Sequence, residues 1–261
     1  MNRIWRPILA IAVNSYREAL RNKMLGTFGL FAPALVGMSI LLGQMSVNQE
    51  ARVARDMSLW MSTMFGVAIA VYAAITLFHA EIERRTIYTL LTKPITRWQF
   101  VIGKYVGVTM LCVTVTAVCF GVSAANVAIA GGEITSTMGF AYVTLFLQLT
   151  IITSIAMLLA SFSSSLLSGL VTAGVFAAGS LSSQLDVARS SLRETAPQAR
   201  YLIDAVKLVL PDFQSLNLST ETTYDVTIPL HYIGAASWYA ASYVGLTLIA
   251  TIVILSRRDF T

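Results

Sequence analysis

Cysteine and methionine are the residues of this chain whose side chains could bind a soft metal ion such as copper. Cys112 and Cys119 lie seven residues apart on one face of a helix, and Met57, Met61 and Met64 share a face of another. Thiols and thioethers are also ordinary packing groups in membrane helices. Copper binding and packing are therefore both open interpretations, and we assign no metal site from this pattern.

No sequence motif indicates nucleotide chemistry within the chain. A phosphate loop needs a glycine before its Gly-Lys pair and a serine or threonine after it. Gly103-Lys104 is instead followed by Tyr105 and lacks the earlier glycine. The sequence also shows no nucleophile–base pair and no metalloprotease helix. We therefore predict that the chain is not an enzyme and holds no cofactor.

The composition is that of a membrane protein. Of 261 residues, 56% are hydrophobic and only 12% are charged, and the mean hydropathy is +0.71. A soluble domain carries about 25% charged residues to cover its surface. The excess apolar side chains must face lipid, so we predict an all-α membrane protein.

Hydropathy predicts six transmembrane helices. A spanning helix needs about 20 mostly apolar residues. The stretch 134–185 has no charged residue and would be about 78 Å long as one helix, too long for one crossing. The polar run 161–165 near its middle predicts a turn between spans four and five. The other four spans are 25–44, 59–79, 105–130 and 237–256.

The six predicted spans lack charged residues at mid-depth. Ion-coupled carriers keep ionisable groups within the membrane to bind the driving ion, so that class of transporter is disfavoured. His79 falls at the end of span two, where we interpret it as an interfacial side chain. Any energy for transport must then come from a partner.

The positions of the basic residues predict the orientation. Loops on the cytoplasmic side are enriched in Lys and Arg, and an even number of spans puts both termini on that side. The net charge of +5 therefore reflects topology in a bacterial cytoplasmic (inner) membrane, and we predict no nucleic-acid partner. The predicted cytoplasmic side holds 12 of the 18 Lys and Arg residues: Arg3, Arg6, Arg17, Arg21, Lys23, Arg84, Arg85, Lys93, Arg97, Lys104, Arg257 and Arg258.

The loop 80–104 between spans two and three is the most informative segment. Residues 81–92 suit a short helix, which Pro94 ends because the residue before a proline avoids helical geometry. Thr96 can then cap a second helix that runs into span three. Such a helix would be tied rigidly to two spans. The alternative is a solvated loop whose basic residues only set the topology.

A family resemblance favours the short helix over the solvated loop. The run E-I-E-R-R-T-I-Y-T-L-L-T-K-P-I-T-R-W-Q-F-V-I-G-K resembles the coupling-helix region of type-2 ABC exporter permeases. It is most similar to the branch containing the permease for copper-site maturation of nitrous-oxide reductase. Arg85 departs from the pattern, which often has a glycine there. The matching residues are Glu81, Thr86, Leu90, Leu91, Pro94, Arg97, Gly103 and Lys104.

The resemblance implies a permease subunit of an ATP-driven exporter. Two copies of a separate ATPase subunit, which binds ATP and Mg, would drive it, together with a second permease subunit, identical or homologous. A membrane scaffold that transmits ATPase motion to an external or envelope-spanning assembly, without solute transport, is the alternative function. The residues implied to dock in the ATPase are Glu81, Glu83, Arg84, Arg85, Thr86, Tyr88, Leu90, Leu91, Pro94 and Arg97.

Residues 1–24 are predicted to form an amphipathic interfacial helix ahead of the transmembrane domain 25–261. Its basic face and Trp5 near its start suit contact with membrane lipid. By resemblance it is an elbow helix beside the ATPase, whereas a plain surface anchor is equally compatible. Its candidate interfacial residues are Trp5, Arg17 and Arg21, with Ile8, Ala12, Ala19 and Leu20 on the apolar side.

The external segment 184–236 is the longest predicted loop. Prolines interrupt it, and its pattern predicts a short helix after Pro197. In type-2 exporters the equivalent region carries short helices that close the outer exit, so the resemblance implies the same here. Its length also leaves room for contact with an external partner.

Overall fold

The computed structural model describes residues 2–22, 31–44, 49–83, 96–182 and 210–257. All regular secondary structure in these ranges is helical, which confirms the predicted all-α class. The helices are α1 (Asn2–Arg21), α2 (Phe31–Gln44), α3 (Glu50–Glu83), α4 (Arg97–Ile129), α5 (Ser136–Ala160), α6 (Ser165–Ser180), α7 (Ser219–Thr223) and α8 (Leu230–Arg257).

Four of the described helices are long and apolar enough to cross a membrane: α3, α4, α5 and α8. Two more apolar helices, α2 and α6, have 14 and 16 residues and are shorter than a full crossing. The described residues thus contain a helix at each of the six predicted positions. They establish four spans by length and leave the six-span arrangement a prediction.

Helices α3 and α4 are longer than the predicted spans 59–79 and 105–130. They contain 34 and 33 residues, or about 50 Å each, whereas the hydrocarbon core is about 30 Å thick. Their ends therefore project beyond the hydrocarbon. Helix α3 continues unbroken through Glu81 to Glu83, so the prediction that a separate helix begins at residue 81 is wrong.

The predicted turn between spans four and five is confirmed at residues 161–164. The Ser161 hydroxyl donates a hydrogen bond to the Leu158 carbonyl at 2.6 Å, and the Ser163 N–H donates to the Leu159 carbonyl at 3.0 Å. Ser164 then adopts an extended backbone and precedes α6. Serine ends the helix here because its hydroxyl bonds nearby backbone groups in place of the helical ladder.

The helices define two ends of the bundle. The proximal end comprises the first half of α1, residues 75–83 of α3, residues 96–107 of α4, the turn 161–164 and the last turn of α8. The distal end comprises the start of α3, residues 130–135 and the segment 210–229. Helices α3, α5 and α8 run toward the proximal end, and α4 and α6 run away from it.

Helix α5 forms the centre of the bundle. In its most apolar stretch, 72% of the residues are buried, compared with 22% for α8. It packs against α3, α4, α6 and α8. The two helices α6 and α8 therefore keep most of their apolar surface outward.

A buried polar network joins α3, α4 and α5 inside the apolar core. The Tyr142 hydroxyl donates to Ser123 Oγ at 2.5 Å and lies 2.9 Å from Ser62 Oγ. The Asn126 amide donates to Ser58 Oγ at 3.2 Å. Hydroxyl and amide groups in an apolar medium need such partners. The network fixes the relative positions of the three helices.

At the distal end, the segment 210–229 packs into the bundle. Phe213 is buried, and its N–H donates to the Gly179 carbonyl at the end of α6, at 3.2 Å. The Arg55 guanidinium contacts the Asp225 carboxylate at 3.3 Å and donates to the Glu133 carbonyl at 3.0 Å. Part of the predicted external segment is thus fixed to α3 and α6. The short helix predicted after Pro197 lies outside the described residues.

Helix α1 packs mainly along α4. A Cβ atom added at Gly103 would lie 2.9 Å from the Ile11 Cβ atom, and one added at Gly107 would lie 2.7 Å from the Ala12 carbonyl oxygen. The two glycines are four residues apart on one face, the spacing at which helix backbones approach closely in membranes. Four residues of α1 are buried: Ile8, Ala12, Ser15 and Ala19. Leu20, which was predicted on the same apolar side, is exposed.

This packing predicts that Gly107→Leu destabilises the protein. The new side chain would overlap the α1 backbone, and overpacking of this kind costs about 1–3 kcal/mol. We expect a lower thermal unfolding midpoint in detergent and faster proteolysis of α1. The matched control is Gly121→Leu in the same helix, where an added Cβ meets open space. Equal stability of the two variants would contradict the close approach of α1 and α4.

Candidate coupling site at the ends of the α3–α4 loop

The predicted coupling residues fall partly outside the described chain. Glu81 and Glu83 lie in the last turn of α3, and the structure describes their backbone only. Arg97 is the first residue of α4. The other predicted contacts lie outside the described residues: Arg84, Arg85, Thr86, Tyr88, Leu90, Leu91 and Pro94. The described part of the site is therefore the two ends of the loop 84–95.

The start of α4 confirms the predicted cap. Thr96 has an extended backbone, with φ −78° and ψ 152°. Its N–H donates to the Gln99 Oε1 atom at 3.1 Å, the backward half of a capping box. The loop therefore ends at a fixed point, and α4 begins there without a frayed turn.

Arg97 joins this point to the last helix of the bundle. Its guanidinium donates to the Leu255 carbonyl at 2.5 Å and to the Ser256 carbonyl at 3.1 Å. The last carbonyls of a helix lack intrahelical partners and carry the negative end of its dipole. A positively charged donor at this position supplies hydrogen bonds to the carbonyls and interacts favourably with the negative end of the dipole. Arg97 was predicted from the family resemblance to contact the ATPase, and the structure places it against α8.

His79 joins the other end of the loop to the turn between α5 and α6. Its Nε2 atom lies 3.0 Å from the Ser163 carbonyl oxygen, and its Nδ1 atom lies 3.2 Å from the Ile75 carbonyl oxygen. The ring is half-buried between α3 and the turn 161–164. The sequence predicts an interfacial side chain and names no partner for it, whereas here His79 connects two helix ends.

Aromatic packing brings the two ends of the loop together. The rings of Phe78 in α3 and Phe100 in α4 have centroids 6.1 Å apart, and both side chains are buried. Aromatic pairs at this distance attract beyond their area burial. Because of this contact, the last turns of α3 pack against the first turns of α4, and a displacement of either helix end affects the other.

Lys104 joins α4 to α1 next to the two glycines. Its side chain is almost fully buried, and its ammonium lies 4.0 Å from the Glu18 carboxylate and 6.0 Å from the centroid of Phe100. A buried ammonium requires such compensating groups. Removal of Glu18 would therefore leave a buried charge near the coupling loop.

The two cysteines discussed above lie in the apolar part of α4 and take no part in the contacts of this site. Cys112 and Cys119 are buried in α4, and the Cys112 sulfur lies 3.6 Å from the Thr153 hydroxyl of α5. Within the described ranges, no three His, Cys, Asp or Glu side chains converge as metal ligands would. The two thiols pack between α4 and neighbouring helices.

Apart from Arg97, the connecting residues of the site were not predicted as site residues. His79 and Gly107 carry no motif that names a partner, and Lys104 was noted as a cytoplasmic basic residue and as part of the family's Gly-Lys pair. The G-x-x-x-G spacing of Gly103 and Gly107 was the available signal, since it is typical of close helix contacts in membranes. No local pattern could have indicated that His79 meets Ser163, 84 residues away.

The long apolar helices define this chain as an integral membrane protein. A family model described as ABC-2 family transporter protein matches residues 9–255. The match spans most of the chain, so the chain belongs to the ABC-2 transporter family and is a membrane component of an ABC transporter. No curated protein matches the sequence at a significant level.

The contact of Arg97 with α8 predicts the behaviour of an Arg97→Ala variant. Loss of a charged donor at a helix C-terminus costs about 0.5–1.5 kcal/mol, so the last turn of α8 should fray. We expect amide hydrogen exchange at residues 253–257 to rise about three- to tenfold. Arg6→Ala, which removes an exposed arginine on α1, is the control and should leave this exchange unchanged. Unchanged exchange in Arg97→Ala would contradict the contact.

Proposed function

We propose that this chain is the permease subunit of an ATP-driven exporter and that a separate ATPase subunit acts on it through the loop 84–95. One observation carries the proposal: both ends of that loop are bonded to other helices. His79 contacts the turn between α5 and α6, and Arg97 contacts the end of α8. A force applied to the loop would therefore reach helices that are distant in sequence.

We propose that displacement of the loop is transmitted to three helices. From the α3 end, His79 passes displacement to the turn 161–164 and so to α6. From the α4 end, Arg97 passes it to α8, and the packing at Gly103 and Gly107 passes it to α1. ATP and Mg would be bound by the ATPase, and closure of two ATPase copies would supply the force. The docking residues implied by the family resemblance lie in this loop, apart from Glu81 and Glu83 at the end of α3 and Arg97 at the start of α4.

We propose that the chain has six spans and that both termini lie in the cytoplasm. Helices α2 and α6 are apolar, and each lies at a predicted span next to residues outside the described part of the chain. The proximal end holds exposed basic residues of α1 and the end of α8, which suits the cytoplasmic side. The loop 84–95 would then face the cytoplasm, where ATP is available.

A second permease subunit is proposed to cover α6. Only Ser168, Thr172 and Gly179 of this helix are buried, and its outward residues include Gly174, where an added Cβ meets nothing within 4 Å. Small residues on an exposed helix face allow close packing of another helix in a membrane. A pathway between two such subunits would be lined in part by α6.

The assignment to the family branch that contains the permease for nitrous-oxide-reductase maturation stays a prediction from residues 81–104.

Photo-crosslinking from Tyr88 tests the proposed contact. With benzoylphenylalanine at position 88, we expect a covalent product with an ATP-binding protein when the complex is crosslinked in its native membrane. Mass spectrometry of the product and labelling with azido-ATP would identify the partner.

The matched control places the same crosslinker at Tyr224, which is 66% exposed at the distal end. That position should give no product with the ATPase. If position 88 captures no ATP-binding protein, or position 224 captures the same one, the proposed contact is wrong.

Thiol labelling tests the proposed topology. In a Cys112→Ser/Cys119→Ser background, single cysteines at Phe162 and Tyr224 would occupy exposed positions at opposite ends of the bundle. An impermeant maleimide added to intact cells should label position 224 and should label position 162 only after lysis. The reverse pattern, or labelling of both positions in intact cells, would overturn the orientation.

A further inference from the structure

An apolar groove lies between α4 and α5 on the outward surface of the bundle. It has a volume of about 340 Å³ and is open along one side. Small-molecule sites have volumes of about 300–1,000 Å³ and mostly apolar walls with a few polar groups. The groove meets both conditions. It is lined by Thr116, Ala117 and Phe120 of α4 and by Gly139, Tyr142 and Phe146 of α5.

Thr116 is the unusual residue of the groove because its hydroxyl is buried and has no hydrogen-bond partner among the described residues. The residue is only 8% exposed. In the same helix, Thr109 and Thr114 each donate to the backbone carbonyl four residues earlier, at 2.9 and 3.1 Å. A buried hydroxyl without a partner costs free energy, so it points to an acceptor supplied from outside the chain. Rotation about the Cα–Cβ bond exchanges the staggered positions of hydroxyl and methyl, and can turn the hydroxyl toward an occupant.

The other polar group that lines the groove is already engaged. The Tyr142 hydroxyl donates to Ser123 Oγ and lies 2.9 Å from Ser62 Oγ. Tyr142 therefore contributes its ring, which meets the Phe120 ring edge to face with centroids 5.3 Å apart. An occupant of the groove meets aromatic walls and one hydroxyl that is free to donate.

The depth of Thr116 excludes the ester groups of phospholipids as its acceptor. Thr116 comes 11 residues after Tyr105, where the apolar run of α4 begins, and 14 before Ala130, which caps the end of the helix. At about 1.5 Å per residue, these separations are about 17 and 21 Å. Ester carbonyls lie at the edges of a hydrocarbon core about 30 Å thick, so they do not reach Thr116.

A helix of a second copy also fits the groove poorly. Close packing of helices in a membrane needs faces of small residues. Here the exposed side chains of Val113 and Val143 line the opening. A helix is about 10 Å across with its side chains, so these valines would hold it away from Thr116, whereas a narrow molecule would pass between them.

We propose that this groove binds a membrane-dissolved molecule that has an apolar body and a carbonyl group, the chemistry of a long-chain ketone. The carbonyl oxygen accepts a hydrogen bond from the Thr116 hydroxyl. The apolar body lies against the rings of Phe120, Tyr142 and Phe146, and Gly139 leaves room for it because an added Cβ there meets nothing within 4 Å. Binding in this groove needs no ATPase and does not rest on the proposed function.

Photolabelling of the full chain in phosphatidylcholine vesicles tests the proposal. One probe is a long-chain alkyl ketone with a diazirine near its carbonyl, and the matched probe is a hydrocarbon of the same length with the diazirine alone. Mass spectrometry of peptides locates the label after irradiation. We expect the ketone to label residues 113–120 and 139–146 about three- to tenfold more than the hydrocarbon does, the range of one net hydrogen bond.

Two variants and a matched control separate the hydroxyl from the shape of the groove. Thr116→Val keeps the shape and removes the hydroxyl, so ketone labelling should fall to the level of the hydrocarbon. Gly139→Leu fills the groove and should remove labelling of both segments by both probes. Gly121→Leu places the same side chain in open space outside the groove and should leave labelling unchanged. Circular dichroism and gel filtration confirm that each variant is folded.

Four results would overturn the proposal. The first is equal labelling of the unmodified chain by the two probes, which would indicate that an acyl chain fills the groove. The second is label spread evenly over the outward helices. The third is unchanged labelling in Thr116→Val or Gly139→Leu. The fourth is a disulfide-linked dimer from Val143→Cys in a Cys112→Ser/Cys119→Ser background, which would show that a second copy covers the groove.

Discussion

At the proximal end of this protein, the helices are connected by side chains that contact backbone carbonyls at helix ends. Arg97 donates to the last carbonyls of α8, and His79 lies against a carbonyl of the turn between α5 and α6. Helix ends leave backbone groups without intrahelical partners, so they are the points at which a side chain can hold a helix firmly. Both connections lie within a few residues of the loop 84–95.

The helices of the bundle differ in how tightly their contacts hold them in place. The network of Tyr142, Ser62 and Ser123 fixes α3, α4 and α5 as one unit. Helix α6 has a narrow buried face and is held mainly at its ends, by the turn 161–164 and by the Phe213–Gly179 contact. Motion delivered to the proximal end would therefore move α6 more easily than the central three helices.

At the distal end, Arg55 of α3 donates to the Glu133 carbonyl and contacts the Asp225 carboxylate. The segment 210–229 also bonds to α8, where the Tyr232 hydroxyl donates to the Ser215 carbonyl. Asp225 itself adopts a positive φ of 56°, which few residues other than glycine adopt. The distal segment is thus an ordered part of the bundle, and the term external loop describes it poorly.

The sequence was sufficient to predict the elements but not their contacts. Hydropathy located the apolar helices, and the serine run at 161–165 located the turn, because both signals depend on local composition. The boundary at residue 81 was predicted wrongly, since nothing in the local sequence shows that α3 continues past the hydrocarbon. The partners of His79 and Arg97 are backbone carbonyls, which carry no side-chain identity for a sequence pattern to reveal.

Spin-label distances in the assembled complex test the central claim most directly. Labels at Phe162 and Arg257 would report on the turn 161–164 and the end of α8, the two elements that His79 and Arg97 contact. We predict that trapping the ATPase with ATP and vanadate changes this distance, and that the double variant H79A/R97A, still assembled and still hydrolysing ATP, shows no change. An unchanged distance in the unmodified protein, or the same change in the double variant, would contradict the account.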